Sequence, residues 1–240
     1  MLEEVAPELW VVAHDVFLPG GIHFPGRMTV VRLPDGGLWL HSPVPISDAL
    51  AAALAELGPV RHLVAPNQFH NLFLGAAAAR YPAARVHLAP GLRERLPHLP
   101  EGEVLQSGVA WQEVLEGRLI EGMPRMAESV FLHRPSATLI CTDLVFHFEA
   151  SNWMTGLLLW MVGARGRMAT SRSVRLMTKD PAAARRSLEA VLAWPFERVL
   201  MAHGAIVEVD ARARLAEATS RLRGGVTELP LRLSSAPAPR

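Results

Sequence analysis

Cysteine is nearly absent from this 240-residue chain: Cys141 is the only one, so no intrachain disulfide can form. It lies in the apolar run Ala137–Thr142, where a small buried hydrophobe is its expected role, and a reducing, cytoplasmic location fits that usage. Lysine is as scarce, with Lys179 alone, so nearly all positive charge is arginine, as a GC-rich codon bias would produce. Net charge is +1 with histidines neutral, which removes any strong electrostatic pull toward nucleic acid or an anionic membrane surface. No apolar run is long enough to cross a bilayer: the most apolar stretch, Trp153–Ala164, falls short of the ~20 residues required. The opening MLEEVAPELWVV carries acids where a secretory signal would carry basic residues. No repeat recurs at a fixed spacing. The pairs Gly20-Gly21 and Gly36-Gly37 lack the spacing of a glycine-rich nucleotide fingerprint. With no Pro/Gly/Ser-rich linker in the middle, one domain over residues 1–224 is expected, followed by a frayed tail, 225–240.

What is present is a large apolar fraction, 50% against 20% charged, enough for a sizeable core. Leu9–Ala13, Met28–Leu33 and Leu38–His41 are short, strand-like runs, the last two joined by the turn residues Asp35-Gly36-Gly37 as in a hairpin. Ile46–Leu57 reads as a helix that opens near Ser47 and Asp48 and stops at Gly58-Pro59. Val60–Ala65 and Arg85–Leu88 read as strands, Leu72–Ala79 and Pro90–Leu96 as helices, and Val104–Leu119 as two weak strands. Ser129–His133 and Thr138–Thr142 flank Arg134-Pro135-Ser136-Ala137 as a second hairpin. Trp153–Ala164 has helical character. Pro181–Leu192 is a helix with Asp180 as N-cap and proline at its first position. Arg198–Ala202 closes the strands and Ala211–Leu222 the helices. This alternation of strand and helix is the rhythm of a layered α/β protein.

Ten histidines invite a metal hypothesis. His14, His23, His62 and His98 stand singly in loops or at strand edges and read as ordinary polar positions, because a metal site needs several donors together. Three residues share a different setting. His70 follows the strand Val60–Ala65, Asp143 follows Thr138–Thr142, and His203 follows Arg198–Ala202. Strand ends in such proteins gather at one edge, where ligands bind.

The order of elements and these segments resemble the metallo-β-lactamase superfamily, which includes the hydroxyacylglutathione hydrolases. In that family a strand leads into H-x-H-x-D-H, a later strand into an aspartate, and the last strand into a histidine before glycine. The matching segments here are Ala65-Pro66-Asn67-Gln68-Phe69-His70-Asn71, Cys141-Thr142-Asp143-Leu144-Val145-Phe146 and Met201-Ala202-His203-Gly204. The resemblance spans roughly Leu9 to Val209. The runs Pro66-Asn67…His70-Asn71-Leu72-Phe73 and His133-Arg134-Pro135-Ser136 resemble a divergent branch. The resemblance implies a four-layer αββα sandwich, two sheets face to face with helices outside. It also implies a degenerate metal site. In one register Pro66 and Gln68 stand at the first two histidines, His70 at the motif aspartate and Asn71 at its last histidine. In the other, Phe69 meets the aspartate and His70 the last histidine. Glu121–Arg125, where a further histidine should fall, is Glu-Gly-Met-Pro-Arg. Either way the first metal position is lost, and at most His70, Asp143 and His203, with Asn71, survive as a second-site remnant.

Two functions follow. The leading reading is a protein that lacks the dinuclear site and binds a small ligand or a partner chain. The alternative is a hydrolase of an ester, thioester or phosphoester using one zinc or iron ion at His70, Asp143 and His203, and the reading leaves open whether any metal binds. Trp153–Ala164 could be core, a lid or the face of a homodimer. The basic stretch Arg165, Arg167, Arg172 and Arg175 reads as a solvated loop able to meet an anionic substrate.

Overall fold

The computed structural model describes residues 1–18, 22–148 and 168–222. Seven strands form the first sheet in sequential order: β1 (Leu2–Ala6), β2 (Leu9–Leu18), β3 (Ile22–Arg32), β4 (Leu38–His41), β5 (Val60–Ala65), β6 (Arg85–Leu88) and β7 (Glu103–Val104). The second sheet runs β12 (Arg198–Met201), β11 (Thr138–Cys141), β10 (Ser129–His133), β9 (Leu115–Leu119), β8 (Ala110–Trp111). β1 to β4 pair antiparallel in sequence order, whereas β4, β5, β6 and β7 are parallel. Parallel pairing needs a crossover, supplied by α1 (Asp48–Leu57) between β4 and β5 and by α2 (Leu74–Arg80) between β5 and β6. α3 (Leu92–Arg95) leads toward β7, while α4 (Arg172–Met177) and α5 (Pro181–Leu192) lie between β11 and its parallel partner β12, and α6 (Ala211–Ala218) follows.

The layering can be read along single strands. Side chains alternate across a strand, and here each alternation separates two cores. On β2, Leu9 and Val11 join one apolar cluster and Trp10 and Val12 another. On β4, Trp39 faces the first and Leu38 and Leu40 the second. On the other sheet, Phe131, Ile140 and Leu200 join that same first cluster, while Val130, Leu132, Leu139, Cys141, Val199 and Met201 turn the opposite way. The shared cluster therefore fills the space between the sheets. The two outer clusters take Leu54, Leu74 and Leu92 from α1, α2 and α3 on one side, and Leu188, Val191 and Leu215 from α5 and α6 on the other. The result is the four-layer αββα sandwich. α5 presents Ala183, Ala184, Ser187, Leu188 and Val191 inward at helical spacing, and the Asp180 carboxylate accepts from the amides of Ala182 and Ala183.

Several elements differ from expectation. β1, for which the sequence carried no strand expectation, pairs antiparallel along β2 although none of its residues is buried, as an edge strand can. β2 continues past the expected Leu9–Ala13 to Leu18, and β3 begins at Ile22 rather than Met28. Val104–Leu119 holds three short strands divided between both sheets rather than two. Arg172–Met177 is a helix capped by Ser171, whose hydroxyl accepts from the Val174 amide, and not a loop. The expected Trp153–Ala164 helix, Arg165, Arg167 and the 225–240 tail lie outside the described residues. Among the described residues no helix is long and apolar enough to cross a membrane.

Candidate metal centre

The carboxyl ends of β4, β5, β11 and β12 converge on one edge, because both pairs are parallel and each delivers its following loop to the same end. There the structure brings His70, Asp143 and His203 together, with one ligand atom from each lying within 4.8 Å of the others. Nε2 of His70 is 3.0 Å from Nε2 of His203. Asp143 faces both rings, Oδ2 lying 3.4 Å from His70 Nε2 and Oδ1 3.4 Å from His203 Nε2.

Each ring is held from behind. His203 Nδ1 lies 2.7 Å from the carbonyl oxygen of Pro25. A carbonyl only accepts, so Nδ1 carries the proton and Nε2 faces the cluster with its lone pair. Phe146 stacks on the same ring at 5.6 Å between centroids. His70 Nδ1 lies 2.6 Å from the Ser42 hydroxyl, just past the end of β4.

Beneath the cluster sits a buried polar scaffold. Glu128, Asn67 and Thr142 are each fully buried. Glu128 accepts from the Thr142 amide at 2.6 Å, the Thr142 hydroxyl at 2.7 Å, the Asn67 amide group at 2.8 Å and the Asp143 amide at 3.1 Å. Asn67 donates to Asp143 Oδ2 at 2.7 Å, and its own oxygen accepts from the amides of Phe69 and His70, both at 2.8 Å. One side chain thus fixes both the carboxylate and the turn that carries His70. Nothing in the sequence marked Glu128, which looks like any polar residue flanking a strand. Asn67 belonged to the run that carried the resemblance but was given no role.

The charges are mutually arranged. Burial alone would raise the Asp143 pKa, but the two histidines and their hydrogen bonds hold it well below the carboxylate range. Burial alone would lower the His70 pKa, but Asp143, and to a smaller degree Glu128, raise it. Glu128 is pushed up by burial and then by Asp143.

The residues at the first two motif histidines are committed elsewhere. The Gln68 side chain donates to the Pro90 carbonyl at 2.6 Å and accepts from Arg95 at 2.7 Å, while Pro66 offers its carbonyl to the Ser129 amide. Asn71 donates its side-chain amide to the Gln68 carbonyl at 2.9 Å. Of the histidines read as solitary, His62 in fact lies 2.9 Å from His87, a partner 25 residues on that strand pairing brings alongside. Phe69 and Leu72, on either side of His70, are 51% and 73% exposed, an apolar rim beside the cluster.

Comparison with known proteins agrees with this architecture. A family described as a domain of unknown function, DUF4336, matches residues 9–93, a span that includes His70 but neither Asp143 nor His203. No curated protein matches the chain. Among solved structures, the DIM-1 metallo-β-lactamase exposed to ceftazidime is similar at 13% identity and TM-score 0.65, covering 92% of this chain and 96% of its own. A metallo-β-lactamase from Hirschia baltica is similar at 12% identity and TM-score 0.63, covering 93% and 97%. The metallo-β-lactamase FIM-1 from Pseudomonas aeruginosa, in its mono-zinc form, is similar at 15% and 0.63, covering 93% and 94%. At such identities the likeness establishes the fold: the sandwich is that of the metallo-β-lactamases.

Proposed function

We propose that the chain holds one divalent metal ion, zinc or iron, between His70, Asp143 and His203, and that it is a hydrolase of an ester, thioester or phosphoester. The observation that carries this is the spacing of the donors. A charged N–H···O pair closes to about 2.7–2.9 Å, yet both carboxylate contacts stand at 3.4 Å. Ligands at ~2.0–2.1 Å from a tetrahedral zinc lie about 3.3–3.4 Å from one another, a spacing that both carboxylate contacts match. Two imidazoles and a carboxylate suit zinc or iron and leave positions open. Such an ion would supply Lewis acidity and make water nucleophilic near neutral pH. The chain's own residues would bind and orient: Pro25 and Phe146 hold His203, Asn67 and Glu128 hold Asp143, and the Phe69 and Leu72 rim receives the apolar part of a small substrate. The mono-zinc form of FIM-1 supports the idea that this fold can hold a single ion.

A second metal has no support in this reading, since Pro66 lacks a side-chain donor and the Gln68 amide is engaged by Pro90 and Arg95. The metal-free ligand-binding reading keeps one observation in its favour: the 3.0 Å His70–His203 contact is also a hydrogen-bond distance. Elemental analysis of the chain purified without chelator separates them. One equivalent of metal is expected, lost in His70→Ala, Asp143→Ala and His203→Ala. Two equivalents, or none after incubation with excess zinc or iron(II), would refute the proposal. A cytoplasmic location and a single 1–224 domain belong to the same reading, resting on the lone buried Cys141 and the unbroken layering.

A further inference from the structure

At the other end of the sandwich from the metal centre, the two sheets leave a cleft of about 440 Å³ between them. Its position follows from strand pairing. Arg32 lies beside Leu38, where β4 begins, and His133 beside Thr138, where β11 begins, whereas the metal centre follows the far ends of those strands. The first sheet and α1 contribute Glu8, Arg32, Leu33 and Leu57 to the lining, and the second sheet contributes Val114 and His133. His133 opens the run His133-Arg134-Pro135-Ser136, which has no part in the metal centre.

His133 is 1% exposed, and its Nδ1 lies 2.7 Å from the Ser136 hydroxyl, while its Nε2 has no hydrogen-bond partner among the described residues. The neighbours decide which nitrogen carries the proton. Arg198 only donates, and does so to Thr138 Oγ1 at 3.2 Å; the Ser136 carbonyl only accepts, and takes the Thr138 hydroxyl at 3.1 Å. Ser136 Oγ, 2.9 Å from Thr138 Oγ1, therefore gives its own hydrogen to Thr138 and is left to accept from His133 Nδ1–H. Nε2 is then a lone pair with nothing to accept, a state that buried polar atoms rarely hold. Burial also keeps the ring neutral near pH 7, depressing His133 to about 4.

The surroundings restrict what fills the cleft. Arg32 and Glu8 are paired side by side, the guanidinium donating to Oε1 at 2.8 Å and also to Oε2, so their charges cancel. At 37% and 44% exposure this pair marks the mouth, and His133 the floor. Leu33, Leu57 and Val114 form apolar walls. A charged occupant would lose its hydration and meet no unpaired opposite charge. The volume lies in the range of small-molecule sites.

We propose that this cleft is a binding site, separate from the metal centre, for a small uncharged molecule with a hydroxyl on an apolar body, a phenol or an alcohol, whose hydroxyl donates to His133 Nε2. The assignment stands whether or not a metal binds at the other end.

The experiment uses the full chain and two probes of nearly one shape: p-cresol, which carries the hydroxyl, and p-methylanisole, its methyl ether, which cannot donate. Binding is followed by calorimetry and by amide chemical shifts. Leaving a buried acceptor unmatched is costly, so p-cresol is expected to bind about tenfold or more tightly than the ether, with shifts at Glu8, Val114 and His133. His133→Asn keeps a donor near the Nδ1 position for Ser136 and removes Nε2. It is expected to abolish that preference while melting cooperatively. The two-probe comparison in wild type decides the matter even where the variant fails to fold. Equal affinity for the two probes, shifts confined to Phe69 and Leu72 beside the metal centre, or no saturable binding of p-cresol overturns the proposal. So does tighter binding of the charged analogues p-toluate or p-methylbenzylammonium.

Discussion

His203 Nδ1 meets the carbonyl oxygen of Pro25 at 2.7 Å across 178 positions of sequence. The long hairpin of β2 and β3 reaches from one sheet to the end of the other to make that contact. Arg27 repeats the link two residues on, donating to the Met201 carbonyl at 2.8 Å. The first sheet therefore orients a candidate ligand carried by the second.

Gly204→Ala should disable that ligand. Gly204 has φ +97°, and an added Cβ would stand 2.1 Å from the His147 carbonyl oxygen. Nothing flexible is there to give way. The backbone conformation alone costs about 1–3 kcal/mol in a non-glycine residue, and the clash must push His203 from its place. Urea unfolding should show at least that loss, and cobalt titration should show no binding near the wild-type affinity. Wild-type affinity in the variant would contradict this placement.

Glu128→Gln should destabilise the chain although no surface changes. All four partners of Glu128 donate to it. The amide must turn its NH2 toward at least one N–H, leaving a buried donor unmatched at about 1–3 kcal/mol. The same variant should loosen the Asn67 turn, read as faster hydrogen exchange at the Phe69 and His70 amides. Unchanged stability and exchange would show the scaffold to be dispensable.

Asp180→Ala should cost about 1 kcal/mol by loss of the N-cap, because one carboxylate oxygen serves two orphan amides of α5 at 3.0 Å each. Denaturant midpoints will measure it, with the slope unchanged. A cost near zero would mean that Pro181 and the packing of Leu188 and Val191 suffice.

The metal-free chain should lose stability as pH falls from 6.5 toward 4. Burial depresses His41 to about 3, and His87 and His133 to about 4, from an ordinary value near 6.5. Between those values the unfolded chain binds protons that the folded chain refuses, so stability rises with pH through this window and is fully present above it. Each such histidine contributes a slope of about 1.4 kcal/mol per pH unit at most. Urea unfolding at steps from pH 7 to 4.5 should follow that sign, and stability flat across the range would refute it.

What the sequence determined by itself is the ordering of elements and their ends. Short apolar runs declare β4, β5, β10, β11 and β12 because a strand between two packed layers is covered on both faces, as the fully buried β4, β10 and β11 are. Asp180-Pro181 and Asp35-Gly36 announce a helix start and a turn because those choices are local, made within a few residues of backbone. The same logic put His70, Asp143 and His203 at strand ends, and parallel pairing carries strand ends to one edge. Tertiary structure alone decided the rest. No local rule joins Pro25 to His203, Asn67 to Glu128 and Asp143, or Ser42 to His70, since each hydrogen bond spans 28 to 178 residues. The extension of β2 to Leu18 and of β3 from Ile22, and the split of residues 103–119 between two sheets, are likewise matters of strand pairing. Hydrophobic pattern records how deep a residue will lie, but not which distant polar group it will find there.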